Sequence, residues 1–159
     1  DLRLRSLFGS DGLYLRTNYK SGYHLTEKSD HPVHYRSSYE LAYYLKLDSD
    51  PNVMFYQSER FHIEYFYERP RFYFPDVLEV HCDGSVHITE LKNSGEVGDP
   101  LNVQKYLAGF KYAREHGMTY HLLIEWQIFD RITMKETLEV HEYYKWLESR
   151  RLLNKSINL

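Results

Sequence analysis

Arg71-Phe-Tyr-Phe-Pro-Asp76, followed after a short turn by Val86-His-Ile-Thr-Glu90-Leu-Lys92, is the most informative stretch of this chain. Both halves are rich in aromatic and β-branched residues and read as strands. Side chains alternate faces along a strand, so Glu90 and Lys92 point the same way, continuing a face begun by Val86 and Ile88. Asp76 closes an aromatic run in the same manner. Burying charge is costly unless it is paired or holds a metal, so this placement asks for an explanation. Between the halves lies His81-Cys-Asp-Gly84, and Asp-Gly is the favoured hairpin dipeptide. Asp76 stands seven residues before Asp83 and Glu90 six after Gly84, which sets the two acids roughly opposite each other across an antiparallel pair. Pro75 cannot donate to a sheet ladder and predicts an edge, a bulge or a strand end beside Asp76.

Working outward, Phe72–Val80 reads as one strand paired with Ser85–Lys92. Phe61–Tyr67 alternates before it, Glu68-Arg-Pro70 reads as a turn, and Val53–Gln57 is a short strand. Upstream, Ser37-Ser-Tyr-Glu40 matches the capping box of a helix carrying Leu41, Tyr44 and Leu45, which Asp48-Ser-Asp-Pro51 stops. Downstream, Asp99-Pro100 is a strong helix start. Val103, Tyr106, Leu107, Phe110 and Ala113 are its expected apolar stripe, with Asn102, Lys105 and Gly109 facing away and Gly117 as the C-terminal stop. Thr119–Gln127 is expected as a strand buried on both faces. Thr133-x-x-Glu136 opens a last helix with Val140, Tyr143, Tyr144 and Leu147 on one face. The order α-β-β-β-α-β-α predicts an α/β fold, a central mixed β-sheet flanked by helices. Residues 1–33 read as a basic extension with weak structure of its own: a short strand or helix over Leu2–Phe8, a break at Gly9–Gly12 and a turn over Asn18–Gly22. Residues 34–149 are the folded domain, and 150–159 a fraying tail.

Composition sets bounds without choosing a function. With 159 residues, 42% of them hydrophobic, the chain suffices for one domain with a real core. A single cysteine, Cys82, forbids an intrachain disulfide and suits a reducing cytosol. No apolar run approaches membrane length and no signal peptide is visible, so a soluble cytoplasmic protein without membrane partners is expected. A first residue of Asp1 rather than methionine reads as trimming. The formal charge of −3 argues mildly against generic nucleic-acid coating, yet residues 1–36 carry six Lys or Arg against four acids. The histidines are scattered, and none is assigned a role.

Two carboxylates meeting across a hairpin suit Mg²⁺, or Mn²⁺ in its place, because both ions prefer hard oxygen ligands. Such an ion activates water for phosphodiester hydrolysis. Lys92 is placed to orient that water or offset charge in the transition state. On local pattern Glu40 needs no role beyond capping its helix. Taken singly, a Pro-Asp or a Glu-x-Lys says little; a surface pair at a strand end reads the same way.

The order of the motifs adds more. His34-Tyr-Arg-Ser-Ser-Tyr-Glu40, Leu47-Asp-Ser-Asp-Pro-Asn-Val53, Tyr73-Phe-Pro-Asp76 and Ile88-Thr-Glu-Leu-Lys92 together resemble the PD-(D/E)xK nucleases, and within them the TnsA-type transposon endonucleases and phage head-completion nucleases. The resemblance covers roughly residues 34–126. It implies a restriction-endonuclease-like core, metal ligation by Asp76 and Glu90 with Glu40 completing the acidic site, and Lys92 as catalytic lysine. It adds Arg36, Asn102 and Lys105 as nucleic-acid contacts. TnsA-type proteins often carry Gln where Glu90 stands, and this chain has the commoner acid. The implied activity is a Mg²⁺-dependent DNA endonuclease, with DNA and a phage or transposition complex as partners, in a bacterial or phage-infected cell. A non-catalytic DNA-binding or assembly module of the same fold, and a structure-selective junction or RNA nuclease, are the alternatives. An oligomer is compatible with all three.

Overall fold

The computed structural model describes residues 20–58 and 60–157. The expectations for Leu2–Phe8 and Gly9–Gly12 lie outside the described residues. The elements in chain order are β1 (Gly22–His24), β2 (Val33–Tyr35), α1 (Ser38–Ser49), β3 (Val53–Ser58), β4 (Ile63–Tyr67), β5 (Arg69–Tyr73), β6 (Val77–His81), β7 (Val86–Leu91), α2 (Pro100–Glu115), β8 (Thr119–Leu123), α3 (Glu125–Ile128) and α4 (Met134–Ile157). The fold is mixed α/β. Its main sheet has the order β3-β6-β7-β8, with β7 and β8 parallel and the other neighbours antiparallel.

The β6–β7 pair is the hairpin expected from the sequence. Val77 faces Thr89 and Val80 faces Val86, which carries Asp76 and Glu90 opposite one another by continuation. The connection is longer than a bare Asp-Gly turn. His81 N–H donates to the Ser85 carbonyl at 2.9 Å and Gly84 takes a φ of 85°, a left-handed conformation that costs glycine little.

The single strand expected over Phe72–Val80 is two strands. It breaks at Phe74-Pro75-Asp76, leaving β6 in the main sheet and β5 paired with β4 as a separate hairpin. Pro75 is the physical reason, since it offers no N–H at the point where the ladder would continue. Glu68-Arg69-Pro70 is not all turn either. Glu68 alone, at a φ of 63°, reverses the chain, and Tyr67 pairs directly with Arg69.

The two faces of the main sheet are covered differently. On one, α1 buries Leu41, Ala42, Tyr43, Tyr44 and Leu47 in a core shared with Tyr56, Val77, Leu91 and Ile128. On the other lies α2, and there the expected stripe holds for Ala113, with Val103 and Tyr106 half-buried, but fails for Leu107 and Phe110. Gly109 and Ala113 are its buried residues, whereas Leu107 and Phe110 are 59% and 57% exposed. Gly109 faces inward because the Tyr120 ring lies against it. A Cβ at Gly109 would sit 2.9 Å from Cδ2 of that ring. The caps are as expected. Asp99 accepts from Leu101 N–H at 3.0 Å, and Gly117, at a φ of 69°, closes the helix while Met118 N–H donates to the Ala113 carbonyl at 2.7 Å.

Two further expectations give way. The strand expected over Thr119–Gln127 ends at Leu123 and passes into α3, and as the sheet's parallel edge it is only half-buried. The tail expected to fray continues as helix α4 to Ile157. Among its described side chains Met134, Thr137 and His141 are buried, while Tyr143 is 55% exposed. Thr133 and Glu136 form its capping box, Glu136 N–H donating to Thr133 Oγ1 at 3.1 Å.

The basic extension is not weakly structured over its described part. β1 pairs with β2 across the expected boundary at residue 33. Behind them Asp48 gathers Thr26 Oγ1 at 2.6 Å, Tyr56 Oη at 2.8 Å and His24 Nε2 at 2.6 Å, and Tyr144 Oη sits 2.7 Å from His24 Nδ1. The segment is thereby tied to α1, β3 and α4. Among the described residues no helix is long and apolar enough to cross a membrane.

Candidate active site

Asp76 and Glu90 meet on the α2 face of the sheet, at the end of the β6–β7 pair. Asp76 is held by its backbone surroundings: Oδ2 accepts from Leu91 N–H at 2.7 Å, in the place where a strand partner would otherwise bond. Glu90 is almost fully buried. Burial first, and then the neighbouring Asp76 carboxyl, raise its pKa well above the usual carboxylate range, while the Tyr73 hydroxyl and Lys92 pull in the opposite direction. Without a cation, Glu90 therefore retains its proton where an isolated carboxylate would have lost it.

Tyrosines close this pocket from behind. Tyr73 is buried, bonds Tyr120 Oη at 2.7 Å and reaches Glu90. The Tyr106 hydroxyl is buried, and burial, followed by the charge of Glu90, pushes its pKa up to about 12. None of the three is marked as a site residue by sequence pattern, Tyr106 being expected only in the apolar stripe of α2. For Tyr73 the signal was present: strand alternation puts it on the face opposite Phe72 and Phe74.

A cavity of about 440 Å³ opens over the acids, lined by Arg36, Phe72, Tyr73, Phe74, Asp76, Glu90, Lys92 and Lys105. Of the residues singled out from sequence, it brings together Asp76, Glu90, Lys92, Arg36 and Lys105. Asn102 is not among the lining residues; its side-chain amide donates to the Glu96 carbonyl at 3.0 Å and holds the loop before α2. Glu40 also lies outside the lining. Its carboxylate accepts from the backbone N–H of Arg36, one residue short of the expected capping-box partner, while Ser37 Oγ receives Glu40 N–H at 3.4 Å. One turn on, Tyr43 donates to Glu79, whose strand position puts it on the α1 face, opposite to Asp76 and Glu90.

The donor chemistry suits a hard divalent ion in part. Two carboxylates in contact, one deeply buried with a raised pKa, form a site whose repulsion a cation would relieve. The expected third acid is not assembled with them. Among the described residues, no group of three or more His, Cys, Asp or Glu side chains is placed to hold a metal ion.

Two further features at this sheet went unassigned from sequence. Glu125, at the start of α3, is buried; Oε2 accepts from Ser94 N–H at 2.8 Å, and Oε1 has no partner among the described residues. It pins the loop just beyond Lys92, whose own N–H bonds the Leu123 carbonyl at 2.9 Å. At the far end of the sheet three histidines line up. The His81 and His87 rings stack at 3.8 Å, and His87 Nδ1 lies 2.8 Å from His121 Nε2. Burial and the two neighbouring imidazoles hold His87 below its ordinary pKa. Only the strand register brings them together, so sequence spacing gave no sign of it.

Neither a scan against protein-family models nor a search of curated proteins returns a match to this chain.

Proposed function

We propose that the protein is a metal-dependent DNA endonuclease with a restriction-endonuclease-like core, using Asp76, Glu90 and Lys92. The observation that carries this reading is the meeting of two carboxylates and a lysine in one cavity that also presents Arg36 and Lys105. A buried acid beside a second carboxylate costs stability, and structures that retain such a cost commonly do so at functional sites.

Mg²⁺ or Mn²⁺ bound at Asp76 and Glu90 would polarise a phosphoryl oxygen and ease deprotonation of a water. The chain supplies the rest. Leu91 N–H fixes Asp76, and the Tyr73 hydroxyl fixes Glu90. The Lys92 ammonium, on the Glu90 side of its strand, offsets charge that develops on the phosphate oxygens. Arg36 and Lys105, at the rim, hold flanking phosphates in register. Glu40 acts on this site through Arg36, whose backbone it holds.

The purified protein should nick plasmid DNA in Mg²⁺ or Mn²⁺, and Asp76→Ala or Lys92→Ala should reduce this by at least about a hundredfold. Cleavage that survives both substitutions sinks the assignment. The rival is a non-catalytic DNA-binding or assembly module, favoured by the convergence of only two acids. Calorimetric titration with Mn²⁺ separates the two, since heat that Asp76→Ala removes belongs to the nuclease reading.

A further inference from the structure

The β4–β5 hairpin stands off the main sheet beside the cavity, and its two faces differ sharply. The inner face carries Ile63 and Tyr73, both buried. The outer face carries Phe66, Phe72 and Phe74, which are 72%, 62% and 52% exposed. His62 stands among them, its ring centroid 5.0 Å from that of Phe72 and 5.6 Å from that of Phe74. Three large aromatic side chains left in water on one face are an interaction surface in search of an occupant. Phe72 and Phe74 also line the cavity that holds Arg36, Lys92 and Lys105 together with the acid pair. Flat apolar rings and cations therefore open onto the same space.

We propose that this face is a stacking platform for unpaired DNA bases, so that the cavity takes a single-stranded segment or flap in preference to continuous duplex. This rests on the endonuclease reading for the chemistry at the phosphate, but the binding claim can be tested without it. Every base has a π face, and stacking on aromatic side chains beside a cationic groove is how sequence-tolerant single-strand binding is built. In duplex those faces are covered by neighbouring base pairs. Spacing points the same way. Phe72, in β5, and Phe74, just past its end, are two residues apart on the same side and, at strand rise, about 6.8 Å apart along the chain. Successive bases of a duplex strand rise about 3.4 Å. Consecutive bases can each meet one of these rings only in a strand that has been pulled out of its stack. Glu64 pairs with Phe72 across the hairpin and shares the outer face, 4.0 Å from His62; the cations lie at the cavity end, where the backbone would enter.

The test is fluorescence anisotropy with the full chain in EDTA. The probes are a labelled oligothymidylate of about twelve nucleotides and a duplex of equal length. Wild type should bind the single strand more tightly. The double variant Phe72→Ala/Phe74→Ala should weaken that binding about tenfold or more while changing duplex binding less than about twofold. Phe72→Trp/Phe74→Trp should retain it, and circular dichroism should report an intact fold in both. Unchanged single-strand binding by the alanine variant, or a wild-type preference for duplex, overturns the proposal. So does self-association that the alanine variant abolishes while leaving oligothymidylate binding untouched, which would give the face to a second copy of the chain. A parallel cleavage assay in Mg²⁺ and Mn²⁺ separates the two claims. Oligothymidylate bound and cut equally well by wild type and the alanine variant leaves an endonuclease without the platform; no cutting of either DNA by wild type, together with single-strand binding that the alanine variant loses, leaves the platform without the endonuclease.

Discussion

Glu90 illustrates what one residue can cost and supply. Its folded-state pKa is raised, chiefly by burial and then by Asp76. A carboxyl of this kind is protonated in the folded chain at a pH where the unfolded chain has already released its proton. Stability therefore falls as pH rises above the unfolded carboxylate value of about 4. Glu90→Gln removes the penalty and keeps an acceptor for Tyr73. The variant should be about 1–3 kcal/mol more stable than wild type at neutral pH without divalent metal, and close to it near pH 4. Urea midpoints across that range test this; an equal gain at both ends would mean that ionisation is not the cause. The acid pair was legible in the sequence in part: strand alternation and a short hairpin bring Asp76 near Glu90. The register that sets them face to face comes from the longer turn over residues 82–84, with His81 bonded to Ser85; a bare Asp83-Gly84 turn would have set Asp76 against Leu91. Tyr73, Tyr106 and Tyr120 were not legible as a group, since they come from three elements that meet only in the folded chain.

At the scale of elements, α2 carries the clearest lesson. Leu107 and Phe110 are the larger hydrophobes and would ordinarily select the buried face. Gly109 overrides them, because the Tyr120 ring must lie close to the helix backbone to bond Tyr73, which in turn reaches Glu90. Gly109→Ala should therefore lower stability by about 1–3 kcal/mol through overpacking and weaken the proposed metal binding by displacing the tyrosine pair. Gly98→Ala, where an added Cβ meets nothing within 4 Å, is the matched control. Thermal midpoints should fall for the first variant only; equal midpoints would mean that the ring relocates freely. The division of Phe72–Val80 at Pro75 belongs to the same scale. Proline marked the break in advance, but the pairing of β5 with β4 depended on partners that a strand pattern does not name.

For the whole molecule, Asp48 joins the N-terminal hairpin to the body. Burial alone would raise its pKa, yet hydrogen bonds from His24, Thr26 and Tyr56 outweigh that and hold it below the ordinary value. A depressed carboxylate contributes stability that is present above the unfolded pKa and disappears as pH falls through the folded one. Wild type should therefore lose stability on acidification below about pH 4, and Asp48→Asn, already weaker by about 1.5–3 kcal/mol at neutral pH, should lose less. Parallel acid limbs in the two proteins would exclude Asp48 as the source. By itself the sequence determined the α/β class, the helix caps and the β6–β7 hairpin, all set by interactions within a few residues or by strand periodicity. Tertiary structure alone decided that Gly109 faces inward, that residues 22–35 belong to the body, and that Glu40 lies outside the cavity lining. Each of these depends on a partner distant in sequence, Tyr120, Asp48 and the choice of sheet face for α1, and a local pattern carries no information about the other side of such a contact.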